Sequence, residues 1–188
     1  DLEEQREILH WFTAHYASLD LGKMFLDEYL YDAPWKDGIG PELLSFLDQQ
    51  IQECIKNENS QYRLEDLVVY RAKWMERIGR SKEEQEQYFA QYHYLLRIRE
   101  IKITQAKQSG DWATALALLE ESREIDKDLP GLVAKYSTQM IEIYERTDNR
   151  DSLLKELRDY LYAFRQDDLV YVLKLKAMLT PEGRHCQG

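Results

Sequence analysis

The sequence predicts an all-α fold in which antiparallel helical hairpins stack side by side as a right-handed α-solenoid, and three observations predict it. Gly and Pro number only 8 and 4 in 188 residues, while Leu, Glu, Gln, Lys, Arg and Ala, all good helix formers, fill most of the chain. Apolar residues recur at three- and four-residue spacing through nearly every segment, the period of a helix with one buried face. Turn signals at Gly79, Gly110 and Asp148 fall 31 and 38 residues apart, the length of one helix pair. Each such pair buries only part of its apolar surface alone and needs a neighbour to complete its core. A chain of 22.5 kDa is long enough for this, burying roughly 70% of its unfolded surface.

Leu2, Ile8, Leu9, Phe12, Tyr16 and Leu19 keep to one face and predict a first helix over Leu2–Leu19. A shorter apolar-rich segment, Leu21–Tyr31, follows. Residues 32–41 then concentrate breakers as no other stretch does and predict the one long loop. Pro41 suits the first turn of a helix over Glu42–Ile55, with Leu43, Leu44, Leu47, Ile51 and Ile55 on one stripe. Asn57-Glu58-Asn59-Ser60 ends it.

Beyond Tyr62 the pattern repeats. Leu64, Leu67, Val68, Trp74, Met75 and Ile78 predict an amphipathic helix closed near Gly79, and Ser81 with Glu84 has the spacing of a capping box that opens the next. That second helix carries Tyr88, Phe89, Tyr92, Leu95 and Leu96. With no Gly or Pro before Gln108, pattern alone allows either a break near His93 or one long helix. Gly110 suits a left-handed helix end, and a helix over Trp112–Ile125 follows. Asp128-Leu129-Pro130-Gly131 restarts the chain, Leu132 to Tyr144 supply the next first helix, and the Thr147-Asp148-Asn149-Arg150 turn leads to its partner over Leu153–Phe164. A capping helix over Asp168–Leu179 is stopped by Pro181. The expected organisation is an acidic N-terminal helical region at 1–60, helical repeats with the capping helix at 61–180, and a disordered tail at 181–188. A start at Asp1 rather than Met and an unpatterned end suit a trimmed chain or one piece of a longer protein.

Gly110-Asp111-Trp112-Ala113-Thr114-Ala115-Leu116 resembles the second-helix signature of tetratricopeptide repeats, with Ala115 at the small position, Leu119 at the large apolar one and Ser122 at the next small one. Arg99, Lys102 and Ile103 stand where that family prefers Trp, Leu and Gly, so the match covers one hairpin well and about 100 residues loosely. The stretch Tyr88–Leu179, through phrases such as Gly131-Leu132-Val133 and Asp168-Leu169-Val170-Tyr171, also resembles the helical region of uncharacterised bacterial cytoplasmic proteins, some of which carry a SWIM zinc finger. The Cys and His signature of that finger is absent, so its zinc and nucleic-acid associations do not carry over. The tetratricopeptide resemblance implies a scaffold whose first helices line a concave groove.

Charge and chemistry point the same way. Residues 1–60 hold 13 Asp/Glu against 4 Lys/Arg, a balance of −9 within the total of −10. Such a field repels phosphate backbones, so direct nucleic-acid binding by this segment is not expected. No apolar run approaches the ~20 residues that span a bilayer, and a cytoplasmic protein is expected. Cys54 and Cys186 are too few and scattered for a disulfide framework or a four-ligand zinc site. His10 and His15, five apart, diverge on a helix, and His93 and His185 have no partner in sequence. Adjacent acidic pairs such as Asp27/Glu28, Glu83/Glu84 and Asp167/Asp168 do not converge on one face and read as solvated surface or caps. No phosphate loop, nucleophile elbow or paired-histidine motif occurs, so no enzyme activity, metal or cofactor is expected.

The expected partner is a protein or peptide, held by first-helix side chains: Tyr70, Arg71 and Trp74, then Arg99 and Lys102, then Tyr136 and Gln139. Arg71 follows Leu64, Leu67 and Val68 at core spacing. It is either a paired, partly buried guanidinium or a groove cation for a peptide carboxylate. A peptide or small-ligand sensor and an accessory domain of a nucleic-acid-associated protein are the alternative readings.

Overall fold

The computed structural model describes residues 1–16, 33–56, 61–164 and 168–180. Among the described residues the chain forms nine α-helices, one short 3-10 turn and no strand. The helices are α1 (Leu2–His15), α2 (Gly40–Lys56), α3 (Gln61–Arg77), α4 (Lys82–Gln91), α5 (Leu96–Ser109), α6 (Trp112–Ile125), α7 (Pro130–Arg146), α8 (Arg150–Ala163) and α9 (Leu169–Leu179), with the 3-10 turn at Asp37–Ile39. None of them is long and apolar enough to cross a membrane. The predicted segment Leu21–Tyr31, the stop at Asn57–Ser60, Pro181 and the tail lie outside the described residues.

Two compact units form, residues 1–98 and 99–188. The composition step at residue 60 is not the boundary between them, because α2 and α3 pack on each other within the first unit. There Leu43, Leu44, Leu47 and Ile51 of α2 are buried as the stripe predicts, together with Leu64, Leu67, Val68, Trp74 and Met75 of α3. Ile55, expected on the same stripe, is exposed. The start of α2 lies so close to the end of α3 that a Cβ on Gly40 would stand 2.3 Å from Ile78 Cγ2, which makes glycine a requirement of this crossing rather than a mere loop signal.

Three turns share one geometry. The first helix of each hairpin ends on a left-handed residue, Gly79 (φ 78), Gly110 (φ 74) or Asp148 (φ 52). The next N–H then bonds back across the helix end: Arg80 to the Met75 carbonyl at 2.9 Å, Asp111 to Ala106 at 2.9 Å and Asn149 to Tyr144 at 3.0 Å. The following helix is capped at once, with Ser81 Oγ, Asp111 Oδ1 and Asn149 Oδ1 accepting from the N–H of Glu84, Thr114 and Ser152. The spacing of turns in the sequence therefore corresponds to a recurring physical device, which satisfies orphan carbonyls on one helix and orphan amides on the next.

Ser81–Gln108 is two helices rather than one. At Tyr92 the backbone leaves helical geometry (φ −117, ψ 20), and the Tyr92 and Leu95 amides bond to the carbonyls of Phe89 and Tyr92 at 3.0 Å each. The start of α5 is then received by Glu65 of α3, whose carboxylate accepts from the Leu96 and Arg97 backbone. Burial raises the Glu65 pKa, against those two bonds.

In the second unit α6 packs on α7, α7 on α8 and α8 on α9. Helices two apart are joined as well: Lys135 of α7 pairs with Glu100 of α5, Arg123 of α6 with Glu156 of α8 at 2.8 Å, and Lys174 of α9 with Glu145 of α7 at 2.7 Å. Ala115, Leu119 and Ser122, the small-large-small positions of α6, are all fully buried.

Candidate functional site

The seven side chains expected to line a groove fall into two groups, one in each unit. In the first unit, Trp74 is buried beneath the Arg77 guanidinium, which lies 4.3 Å from its ring centroid. Tyr70 is half-buried with Lys73 Nζ 5.2 Å from its ring. Arg71 is the paired guanidinium of the two alternatives: Nε donates to Asp48 Oδ1 at 2.5 Å and Nη2 to Asp48 Oδ2 at 3.1 Å, while the guanidinium carbon sits 4.4 Å over the Tyr88 ring. This fork joins α2, α3 and α4. Because a lysine cannot make two parallel bonds and stack at once, Arg71→Lys is expected to cost about 1–2 kcal/mol in urea unfolding. A change below a few tenths would show that the fork contributes nothing.

In the second unit, Arg99 and Tyr136 are both buried and converge on one carboxylate. Arg99 Nη2 and the Tyr136 hydroxyl each donate to Asp126 Oδ2 at 2.5 Å. Asp126 stands just past the end of α6, so this cluster pins α5, α6 and α7 together. Burial above all, and then the Asp126 carboxylate, push the Tyr136 phenol up to about 12. Lys102 is half-buried on α5, and Gln139 accepts from Lys107 Nζ at 3.3 Å. Trp74, Arg99 and Tyr136 thus present no surface to a partner.

The second unit also holds an accessible cleft of about 310 Å³ between the ends of α5 and α7 and the start of α6, lined by Thr104, Lys107, Gln108, Trp112, Glu142 and Arg146, with Ile143 at its base. Trp112 is half-buried and Arg146 exposed. The Arg146 guanidinium lies 5.7 Å from the Trp112 ring centroid and makes no ion pair among the described residues. Lys107 Nζ reaches Glu142 Oε2 only at 3.5 Å. Two cations and one carboxylate leave the cleft one charge positive. Each cation closes the last turn of a first helix, where it favours the negative end of the helix dipole. Sequence reading missed Lys107, Trp112 and Arg146 as a set. A signal was present, since Trp112 stands directly after the Gly110-Asp111 turn and Arg77, Lys107 and Arg146 recur at the ends of first helices.

A larger cleft of about 470 Å³ lies in the first unit between α1 and α2, with Arg6, Leu9, His10, Glu42 and Phe46 among its walls. Its guanidinium is already committed, Arg6 Nε donating to Glu42 Oε1 at 3.0 Å, so it offers a ligand less charge than the smaller cleft. His10 and His15 do not converge, His15 Nδ1 lying 2.7 Å from the Trp11 carbonyl. No group of His, Cys, Asp and Glu among the described residues is arranged to hold a metal ion. Compared with protein-family models, curated proteins and solved structures, the chain matches none.

Proposed function

We propose that the chain is a non-catalytic helical-repeat scaffold, built as an α-solenoid, that binds a protein or peptide partner in a groove between its helix ends. The single observation that carries this reading is the cleft at Lys107, Trp112 and Arg146, where an exposed guanidinium with no ion pair among the described residues lies over a half-buried indole. Such a pairing recognises an acidic peptide segment: the ring and the arginine stem take an apolar side chain, and the guanidinium and ammonium take its neighbouring carboxylates. The solenoid arrangement is supported by the three turns of one geometry and by ion pairs that join α5 to α7, α6 to α8 and α7 to α9, as stacked hairpins require.

Titration calorimetry of the full chain with a capped peptide alternating glutamate and leucine tests the reading. Arg146→Ala and Trp112→Ala are each expected to weaken binding tenfold or more, about 1.4 kcal/mol, and affinity should fall with added salt. An equal affinity for the same peptide with glutamine in place of glutamate would contradict it.

A further inference from the structure

The helix α9 reads Leu169-Val170-Tyr171-Val172-Leu173-Lys174-Leu175-Lys176-Ala177-Met178-Leu179, with two lysines and no acidic residue. A helix this rich in apolar residues is expected to bury more than one face, yet α9 is covered on one. Tyr171, Val172, Leu175 and Met178 pack against the buried cluster of Ile141, Leu157, Tyr160 and Leu161, and the Tyr171 and Tyr160 rings lie 4.7 Å apart. The opposite face carries Leu169, Val170 and Leu173, which are 66%, 61% and 53% exposed, with Lys176 and Ala177 completing it. A helix that merely closed a stack would turn a polar face outward.

We infer that this face is a self-association surface, on which two copies of the chain pair α9 against α9, antiparallel, about a two-fold axis at Leu173. Two features of the helix select a second copy. The exposed stripe is centred on Leu173, so an antiparallel copy sets Leu173 against Leu173 and, twice over, Leu169 against Ala177 and Val170 against the apolar stem of Lys176, as an isologous interface requires. The charges follow the same symmetry. Asp168 caps the N-terminal end without a side-chain bond to the helix, Lys176 lies eight residues on, and neither makes an ion pair among the described residues. Antiparallel pairing brings each Asp168 within reach of Lys176 of the partner subunit and opposes the helix dipoles, whereas a parallel pair would set like charges together. Three half-exposed side chains per copy fall well short of the roughly 800 Å² per partner of a standard interface. The dimer is therefore weak and concentration-dependent.

Sedimentation equilibrium of the full chain carrying Cys186→Ser, which removes the tail thiol, is expected to show a reversible monomer–dimer equilibrium. Leu173→Glu, which sets two carboxylates together on the axis, and, separately, Val170→Lys, which sets a second cation against Lys176 of the partner subunit, are expected to weaken it tenfold or more while leaving the helical circular dichroism unchanged. Under mild oxidation Leu173→Cys is expected to link to itself. Leu169→Cys is not, because two such thiols would lie about 12 Å apart along the paired helices. A monomer at every concentration, including one that instead settles on anionic phospholipid vesicles, would overturn the inference. So would a dimer indifferent to both substitutions, or equal cross-linking at positions 169 and 173. The acidic-peptide titration is independent of all these outcomes.

Discussion

Ala115→Arg is expected to unfold the second unit. Ala115 has no exposed surface and lies on a helix that packs against α7, one turn before the fully buried Leu119. A four-atom stem and a guanidinium entering there must either push the helices apart or leave a charge in an apolar crossing without a partner. Overpacking alone costs about 1–3 kcal/mol, and an unpaired buried charge adds about 3–5 kcal/mol. The sum approaches the whole stability of a domain, about 5–15 kcal/mol. Thermal melting followed by circular dichroism is expected to show a lower melting temperature and less helix at room temperature than the wild type. Wild-type melting would show that Ala115 does not face a helix crossing. Ala115→Ser, nearly isosteric, should retain most of the stability.

The second large effect is expected at Asp126. Its carboxylate accepts from both Arg99 Nη2 and the Tyr136 hydroxyl, and both donors are buried. Asp126→Ala takes the charged acceptor from the buried Arg99 guanidinium and from the Tyr136 hydroxyl together, which costs about 3–5 kcal/mol, whereas Tyr136→Phe removes a single hydrogen bond worth about 1 kcal/mol. Urea unfolding should separate the two variants by at least 2 kcal/mol. Equal losses would mean that the ion pair adds nothing beyond the phenol bond. The same site predicts a pH dependence. The Tyr136 phenol titrates at about 12 when folded against its ordinary 10.0, so above pH 10 the unfolded chain releases a proton that the folded chain retains. Stability is therefore fully present below pH 10 and is lost as pH climbs through 10 towards 12. Burial moves the phenols of Tyr88, Tyr92, Tyr144 and Tyr171 in the same direction, so Tyr136→Phe should reduce the alkaline loss without abolishing it.

Helices and hairpin turns were legible because their causes are local. The capping box at Ser81 and Glu84, the left-handed glycines and the apolar stripes each lie within a few residues of what they determine. The break at Tyr92 was not legible, since it is made by backbone bonds that no Gly or Pro announces. Nor was the pairing of the charged side chains. Arg71 with Asp48, Arg99 with Asp126 and Arg123 with Glu156 stand 23 to 33 residues apart, and only the packing of helices decides which carboxylate meets which guanidinium. For the same reason, Trp74, Arg99 and Tyr136 read as first-helix contact residues although their partners lie inside the units. The cleft at Trp112 escaped because it is assembled from three helix ends rather than from one face.

The most direct test of the proposed scaffold is a titration of the isotopically labelled full chain with the glutamate–leucine peptide, followed by amide chemical shifts. Saturable shifts confined to the ends of α5 and α7 and the start of α6, around Lys107, Trp112 and Arg146, are expected. The absence of shifts at these residues, or shifts of the same size throughout the chain, would contradict a peptide site in this cleft.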